Sequence, residues 1–338
     1  MQVSENVPLR SYNTFGISAK ARYFSTFSSA DELQELTHRQ KEDNLPQLIL
    51  GGGSNILFTR NFDGYVLKNQ VMGIEKVGED DDYVYVKAGA GENWHGFVKY
   101  CLDADLAGVE NLSLIPGNVG ASPMQNIGAY GAEIKDVFHE LEAFHLRDQH
   151  IVKFTNAQCE FGYRESVFKK QFKGQFAILN VTYRLNKTPR FNTSYGAIYD
   201  ELEKMKIEKL TIQAISQAVI NIRTSKLPDP AQIGNAGSFF KNPTIPRAQF
   251  QQLEAEYPKI VAYPTDSDHV KLAAGWLIEQ CGWKGYRLGD AGVHIRQALV
   301  LVNYGNASGK DVYDLSQQIL ESVQEKFGVL LEREVNII

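Results

Sequence analysis

Residues 113–133 read SLIPGNVGASPMQNIGAYGAE, and no other stretch restricts the possible folds as strongly. Gly117, Gly120, Gly128 and Gly131, with Pro116 and Pro123, are too many breakers for a regular helix. The run is also too apolar for a disordered linker. A long structured loop of this kind is usually functional, and regular elements must carry it. The flanks supply them. Trp94, Phe97, Val98, Cys101 and Leu102 recur at i, i+3, i+4, i+7 and i+8, which predicts a helix from Asn93 onward. Residues 141–146 and 176–185 are strand-like.

Upstream, the apolar run 46–50 (PQLIL) stops at Gly51-Gly52-Gly53-Ser54-Asn55 and resumes at Ile56-Leu57-Phe58, a pattern of strand, glycine turn, then strand or helix. Further β-type stretches lie at 64–68 and at 83–87, where Tyr83 and Tyr85 alternate with valines. Downstream, Ile212, Ile215, Val219 and Ile222 predict a helix ending near Thr224. Lys226-Leu227-Pro228-Asp229-Pro230 then breaks the pattern, and a domain boundary is expected there. The C-terminal third should hold a helix with Val270, Ala273, Ala274, Leu277, Ile278 and Cys281 on one stripe, then a strand at 298–302. A helix carrying Val312, Leu315, Ile319, Val323 and Phe327 follows, capped by Gly328, and a strand at 329–338 closes the chain.

At 338 residues the chain exceeds the roughly 250 to 300 at which one core stops growing, so two or three domains are expected. A net charge of −5 provides no basic field for nucleic acid or an anionic membrane. No apolar run approaches the roughly 20 residues of a membrane span, and the opening MQVSENVPLR has no signal-peptide pattern, so a cytoplasmic protein is expected. Cys101, Cys159 and Cys281 are far apart and form no CxxC, which points to buried free thiols. The seven histidines lack HxxxH or HxH spacing, and no metal is expected.

Three segments could carry chemistry. In Gly51-Gly52-Gly53-Ser54-Asn55, consecutive glycines let backbone N–H groups converge on phosphate oxygens while Ser54 and Asn55 add donors; a plain turn is the alternative. Neither GxGxxG nor GxxxxGK[ST] occurs, which disfavours a Rossmann or P-loop site. The loop 115–131, with Gly117, Gly120, Ala121 and Ser122, allows a second close backbone approach, or it is an irregular buried connection. In NAGSFFKNP, Ser238 sits between a glycine and two phenylalanines, where its hydroxyl could donate a proton or cap a helix. Arg164 in FGYRES could grip a carboxylate in bidentate fashion. Glu334 in LEREVNII is oddly placed if its strand is buried, although period two would put Glu332, Glu334 and Asn336 on a solvent face.

Taken in order, Asn13-Thr14-Phe15-Gly16, GGGSN, IPGNVGASPMQNIGAYG, FGYRES, RTSKLPDP, GNAGSFFKNP, KLAAGWLIEQCG and LEREV resemble the UDP-N-acetylenolpyruvoylglucosamine reductases over essentially the whole chain. The segment Asn192-Thr193-Ser194-Tyr195-Gly196 is similar to the tyrosine-bearing loop of that family's first type. The resemblance implies an α+β fold, with an FAD-binding region of the vanillyl-alcohol-oxidase type in two subdomains and a separate substrate domain. The implied divisions are 1–66, 67–226 with the last strand 329–338 returning to the FAD region, and 227–328 for the substrate domain. It implies noncovalent FAD, since no His or Cys lies in the two loops, with NADPH as reductant and a UDP-sugar enolpyruvyl ether as the small-molecule substrate. Gly51 to Asn55, together with Gly117, Gly120, Ala121, Ser122, Gly128, Tyr130 and Gly131, would hold FAD. Arg164 and Glu334 match the residues that polarise the substrate carboxylate, and Ser238 matches the proton donor to C2. Tyr130, Tyr195, Lys226, Asn242, Tyr263, Lys284 and Gln297 match residues around the substrate. A monomer is expected. Another flavin oxidoreductase of this fold, or a UDP-sugar-binding protein without redox chemistry, are the alternatives; lesions at Ser238, Lys226, Arg164 or Glu334 would favour them, and all four are present.

Overall fold

The computed structural model describes residues 2–338, which divide into two compact units. The first runs from the N-terminal residues through Val7 and includes Ala21–Gly52 and Asp63–Ser225; the second comprises Pro8–Lys20, Gly53–Phe62 and Lys226–Ile338. The chain thus passes from one unit to the other between Gly52 and Gly53, inside the glycine turn, and again between Ser225 and Lys226, before the two prolines.

The first unit contains two sheets. One places strands in the order Ser4–Pro8, Lys20–Phe27, Phe62–Asn69 and Gln47–Leu50, with the last two parallel. The helix Ala30–Asp43 belongs with it. Ser29 caps this helix by accepting from the Glu32 N–H, Asn44 ends it at φ 51°, and Leu33 and Leu36 bury beside Phe27, Tyr65 and Leu67. The sequence reading had no helix here, because exposed charged residues outnumber its narrow apolar stripe. The other sheet is antiparallel, in the order Ile151–Thr155, Phe138–His145, Phe176–Asn186, Tyr83–Gly89 and Ile74–Glu79. Its inner face meets the helix Trp94–Asp103, whose Asn93 cap accepts from the Gly96 N–H. Trp94 anchors the start of the long loop, donating its indole N–H to Leu112 O at 2.8 Å. The helices Gly196–Lys204 and Ile212–Lys226 bury Ile198, Ile215, Val219 and Ile222 together, with Tyr130 packed against them.

The second unit centres on an antiparallel sheet of Gly234–Ser238, Val300–Asn303, Ala291–Val293 and Arg287–Leu288, with a small three-stranded sheet elsewhere in the unit. The helix Gly309–Phe327 starts on a reciprocal box between Ser308 and Asp311 and stops at Gly328, φ 63°. Two expectations need correction. The helix expected from Val270 begins only at Ala274: His269–Leu272 is a strand, alternately burying Val270 and Leu272 between Thr244–Pro246 and Ala262–Pro264. The closing strand shrinks to Asn336–Ile337, paired in parallel with Ile56–Leu57, because residues 329–335 find only one bridge partner, Phe240 with Arg333. No helix among the described residues is long and apolar enough to cross a membrane.

Candidate active site

In the first unit the two glycine loops converge. A Cβ on Gly52 would lie 2.5 Å from Asn118 Oδ1 and 3.0 Å from Gly117 Cα, so only glycine fits there without a shift. Asn118 is itself pinned, donating from Nδ2 to Gly91 O at 2.6 Å. The Gly52 N–H donates to no acceptor among the described residues, and the half-buried Lys68 brings its ammonium to 3.4 Å from Gly51 O. Desolvation pulls the Lys68 pKa down, and an anion beside it would relieve that cost.

The loop beyond Gly117 is arranged differently. The amides of Val119, Gly120, Ala121 and Ser122 donate to Glu92, Ala90, Asn118 and Val119 carbonyls at 2.9 to 3.0 Å. Ser122 is buried, with its hydroxyl 2.8 Å from Tyr183 OH, so its side chain serves the core.

Further along, Arg164 sits at the tip of a tight turn closed by reciprocal hydrogen bonds between Gly162 and Glu165. Its backbone has φ 56°, and its guanidinium donates to Gly128 O at 2.7 Å. A Cβ on Gly128 would stand 3.0 Å from Ala132 O, Arg164 Nη1 and Glu133 Cγ alike, so this corner is tight on backbone as well as on the arginine. Tyr130 meets Tyr195 edge to face, with centroids 5.4 Å apart. The tyrosine loop is docked by amides: Asn111 Nδ2 donates to both Tyr130 O and Asn192 O, and Asn192 Nδ2 donates to Gly131 O at 2.8 Å.

A residue that the sequence reading left without a role stands beside these. Arg223 Nε is shut off from water and has no hydrogen-bond partner among the described residues. Burial pulls its pKa down, Tyr130 opposes this, and the like charge of Arg164 adds to it. The signal was present in the sequence, since Ile215, Val219 and Arg223 lie at i, i+4 and i+8, on the buried stripe of their helix.

In the second unit, Ser238 ends the strand Gly234–Ser238 after Gly237 at φ 69°. Its half-buried hydroxyl has no hydrogen-bond partner among the described residues, and Phe239 and Phe240 behind it are fully buried. Glu334 donates its N–H to Phe239 O at 2.8 Å, so the segments carrying Ser238 and Glu334 lie side by side. Glu332 and Asn336 are exposed as alternation predicts, whereas Glu334 is half-buried. Asn55 supports this segment, its side chain reaching Glu334 O at 3.4 Å and its carbonyl accepting from the Asn336 side chain at 2.9 Å. Gly53, at φ 64°, would place a Cβ 2.0 Å from Tyr12 O, and its own carbonyl accepts from the Thr14 N–H.

The remaining residues of the unit divide. Asn242 Oδ1 accepts from the Ala274 N–H and so starts the helix Ala274–Gln280. Lys284 pairs with Glu279 at 2.9 Å, Gln297 Oε1 faces the Leu299 N–H at 3.4 Å, and Tyr263 and Lys226 are exposed.

Burial raises all three thiols, Cys159 to about 12, which makes them poor thiolates. Although sequence spacing suggested no metal-ligand set, one hairpin turn gathers His145, Asp148 and His150, whose ligand atoms lie within 4.8 Å of one another. The 3.0 Å contact of His145 Nδ1 with Asp148 Oδ2 makes this an ion pair when the imidazole is protonated.

Known proteins resemble this chain over its whole length. Residues 21–155 match the model of an FAD binding domain, and residues 229–338 match that of the UDP-N-acetylenolpyruvoylglucosamine reductase C-terminal domain. A UDP-N-acetylenolpyruvoylglucosamine reductase of Amoebophilus asiaticus is 54% identical over 100% of both chains. The crystal structure of UDP-N-acetylenolpyruvylglucosamine reductase from Thermus caldophilus superposes with a TM-score of 0.70 at 25% identity, covering 100% of this chain and 99% of that one. In fold alone, 6-hydroxy-D-nicotine oxidase from Arthrobacter nicotinovorans is also similar, with a TM-score of 0.51 at 10% identity over 97% of this chain and 86% of that one.

Proposed function

The chain belongs to the UDP-N-acetylenolpyruvoylglucosamine reductase family and has its α+β, vanillyl-alcohol-oxidase-type FAD fold, and from that premise we propose how its residues perform an NADPH-dependent reduction. The substrate is the enolpyruvyl ether of UDP-N-acetylglucosamine, and the product is the D-lactyl ether of UDP-N-acetylmuramate. FAD, when bound, would supply the hydride chemistry that links NADPH to the substrate.

The residues fit such a cofactor. A diphosphate needs convergent donors, and the unpartnered N–H of Gly52, with Lys68 nearby, is suited to it. Arg223 offers its unpartnered Nε–H to an anionic or carbonyl oxygen. FAD binding is noncovalent in this reading.

An isolated enol ether accepts hydride poorly, so negative charge developing at C2 must be drawn into the carboxylate as hydride reaches C3. Arg164 performs this with its planar fork, and Glu334 assists. Ser238 then gives its proton to C2, which completes the D-lactyl group. Tyr195 and Lys226 hold the diphosphate of the nucleotide sugar, and Tyr130, Asn242, Tyr263, Lys284 and Gln297 contribute to the remainder of the substrate site. The protein acts as a cytoplasmic monomer. The observation that carries this reading is the unpartnered hydroxyl of Ser238 on an apolar base, in a chain 54% identical over its whole length to a named reductase.

The test uses one anaerobic cuvette. Purified protein should show a flavin spectrum that bleaches with NADPH and returns only when the enolpyruvyl nucleotide is added. A protein that is colourless and does not take up FAD, or whose reduced flavin ignores that substrate, would refute the proposal.

A further inference from the structure

The segment that carries Glu334 is tied down by the residues just before it, and we propose that the Lys241–Glu332 ion pair is a positioning device that fixes Glu334 in register with Ser238. This rests on the proposed function, which gives those two residues their roles. Three consecutive residues on each side face one another in antiparallel order. Glu334 donates its N–H to Phe239 O at 2.8 Å, Arg333 bridges Phe240, and Lys241 donates its N–H to Glu332 O at 2.9 Å. At the end of this short ladder, Lys241 Nζ lies 2.7 Å from Glu332 Oε1. Arg333 points the other way, donating to Ser316 Oγ and Gln317 Oε1 at 2.8 Å and lying over the Tyr313 ring, all on the helix Gly309–Phe327.

The character of the pair argues for register over stability. The Lys241 side chain is only 7% exposed, whereas that of Glu332 is 70% exposed. Taking an ammonium out of water is costly, so a buried ion pair is weak evidence for stability. A buried charged group whose partner sits at one defined position does select a single alignment. A slip of one residue would separate the pair and turn Glu334 to the opposite face. Among the described residues no regular sheet guards against that slip, because the only other strand pairing of this segment there is the two-residue one at Asn336–Ile337.

The experiment compares half-reactions in stopped flow. Glu332→Gln removes the charge at an exposed position and leaves the fold in place. The reduction of flavin by NADPH should stay within about twofold of normal. Reoxidation by the enolpyruvyl nucleotide should slow on the order of tenfold, with kcat falling more than KM changes, because sub-ångström misplacement acts on the reacting geometry. Lys241→Arg should retain most activity, while Lys241→Met reproduces the loss. Adding Glu332→Gln to a Glu334→Gln background should cost nothing more, since the pair works through Glu334; a purely structural weakening would multiply the two losses. Normal reoxidation in Glu332→Gln, equal losses in both halves, or multiplicative losses in the double variant would each overturn the inference while the functional reading stands. Failure of the unmodified protein to turn over the nucleotide would instead remove the reading and this inference with it.

Discussion

Gly52→Ala and Gly51→Ala are adjacent, chemically identical changes for which the structure predicts opposite results. Neither glycine has a positive φ, so backbone strain does not enter. A methyl on Gly51 would meet Asn118 Cβ at 3.8 Å, an ordinary contact. A methyl on Gly52 would stand 2.5 Å from Asn118 Oδ1, 3.0 Å from Gly117 Cα and 3.3 Å from Gly117 C. The oxygen cannot swing aside freely because the same amide donates to Gly91 O at 2.6 Å, and behind it the obstacle is backbone. Relief therefore means spreading the two glycine loops. Overpacking of this type costs about 1 to 3 kcal/mol. If the loops must return to their present spacing to hold the cofactor, that cost appears in affinity, and at 1.4 kcal/mol per tenfold the FAD Kd rises roughly 5- to 150-fold. Quenching of FAD fluorescence on titration into apoprotein measures it. Gly51→Ala should match the unmodified protein. Equal affinities for both variants, or a larger loss in Gly51→Ala, would refute the argument that the loops converge on the cofactor.

Other expectations follow from single side chains. Ser238→Ala should leave flavin reduction by NADPH nearly normal and slow substrate-driven reoxidation by about 10²- to 10⁴-fold in stopped flow, the usual range for a proton donor. Arg223→Met removes a guanidinium whose buried Nε has no hydrogen-bond partner among the described residues, so the Tm of the apoprotein should hold or rise, while FAD or substrate binding weakens by at least about tenfold; a fall in both would mean that the guanidinium is structural. Tyr65, buried and donating to Asp43, has its phenol pushed up to about 12 from 10, so its contribution to stability is complete below pH 10 and is lost as pH rises to about 12. Tyr65→Phe should flatten that alkaline fall in denaturant midpoints, and an unchanged fall would assign it elsewhere.

The sequence revealed those parts of the fold whose periodicity and caps agree. Trp94–Asp103 has its apolar face at helical spacing and an asparagine cap, and Gly309–Phe327 has Ser308, Asp311 and Gly328 at its ends. His269–Leu272 was misread because Val270 falls by coincidence at i−4 from Ala274, which continues a helical stripe that begins only there. Partners distant in sequence make it a strand, and no local signal reports them. Glu334 presents a similar limit. Alternation assigns it a face but not the neighbour, Phe239, that fixes it. Arg223 was legible in principle, since a charge on an apolar stripe is a local contradiction, but recognising the contradiction requires knowing that no carboxylate lies opposite.

The two glycine loops also differ in a way that their composition conceals. Small residues in both suggest backbone donors converging on a phosphate, yet the amides at 119–122 are all spent on carbonyls of the fold. There glycine serves packing, because a Cβ on Gly120 would come within 2.6 Å of Ala90 Cβ and 3.2 Å of Ala90 Cα. A donor remains at Gly52. Substitution should separate these uses. Gly120→Ala should lower the Tm of the apoprotein by an amount corresponding to about 1 to 3 kcal/mol, whether or not FAD is later supplied. Gly52→Ala should show its main effect in FAD titrations. If Gly120→Ala left the apoprotein Tm unchanged and weakened FAD binding alone, the internal hydrogen bonds at 119–122 would have to open in the complex, and this loop would supply donors after all.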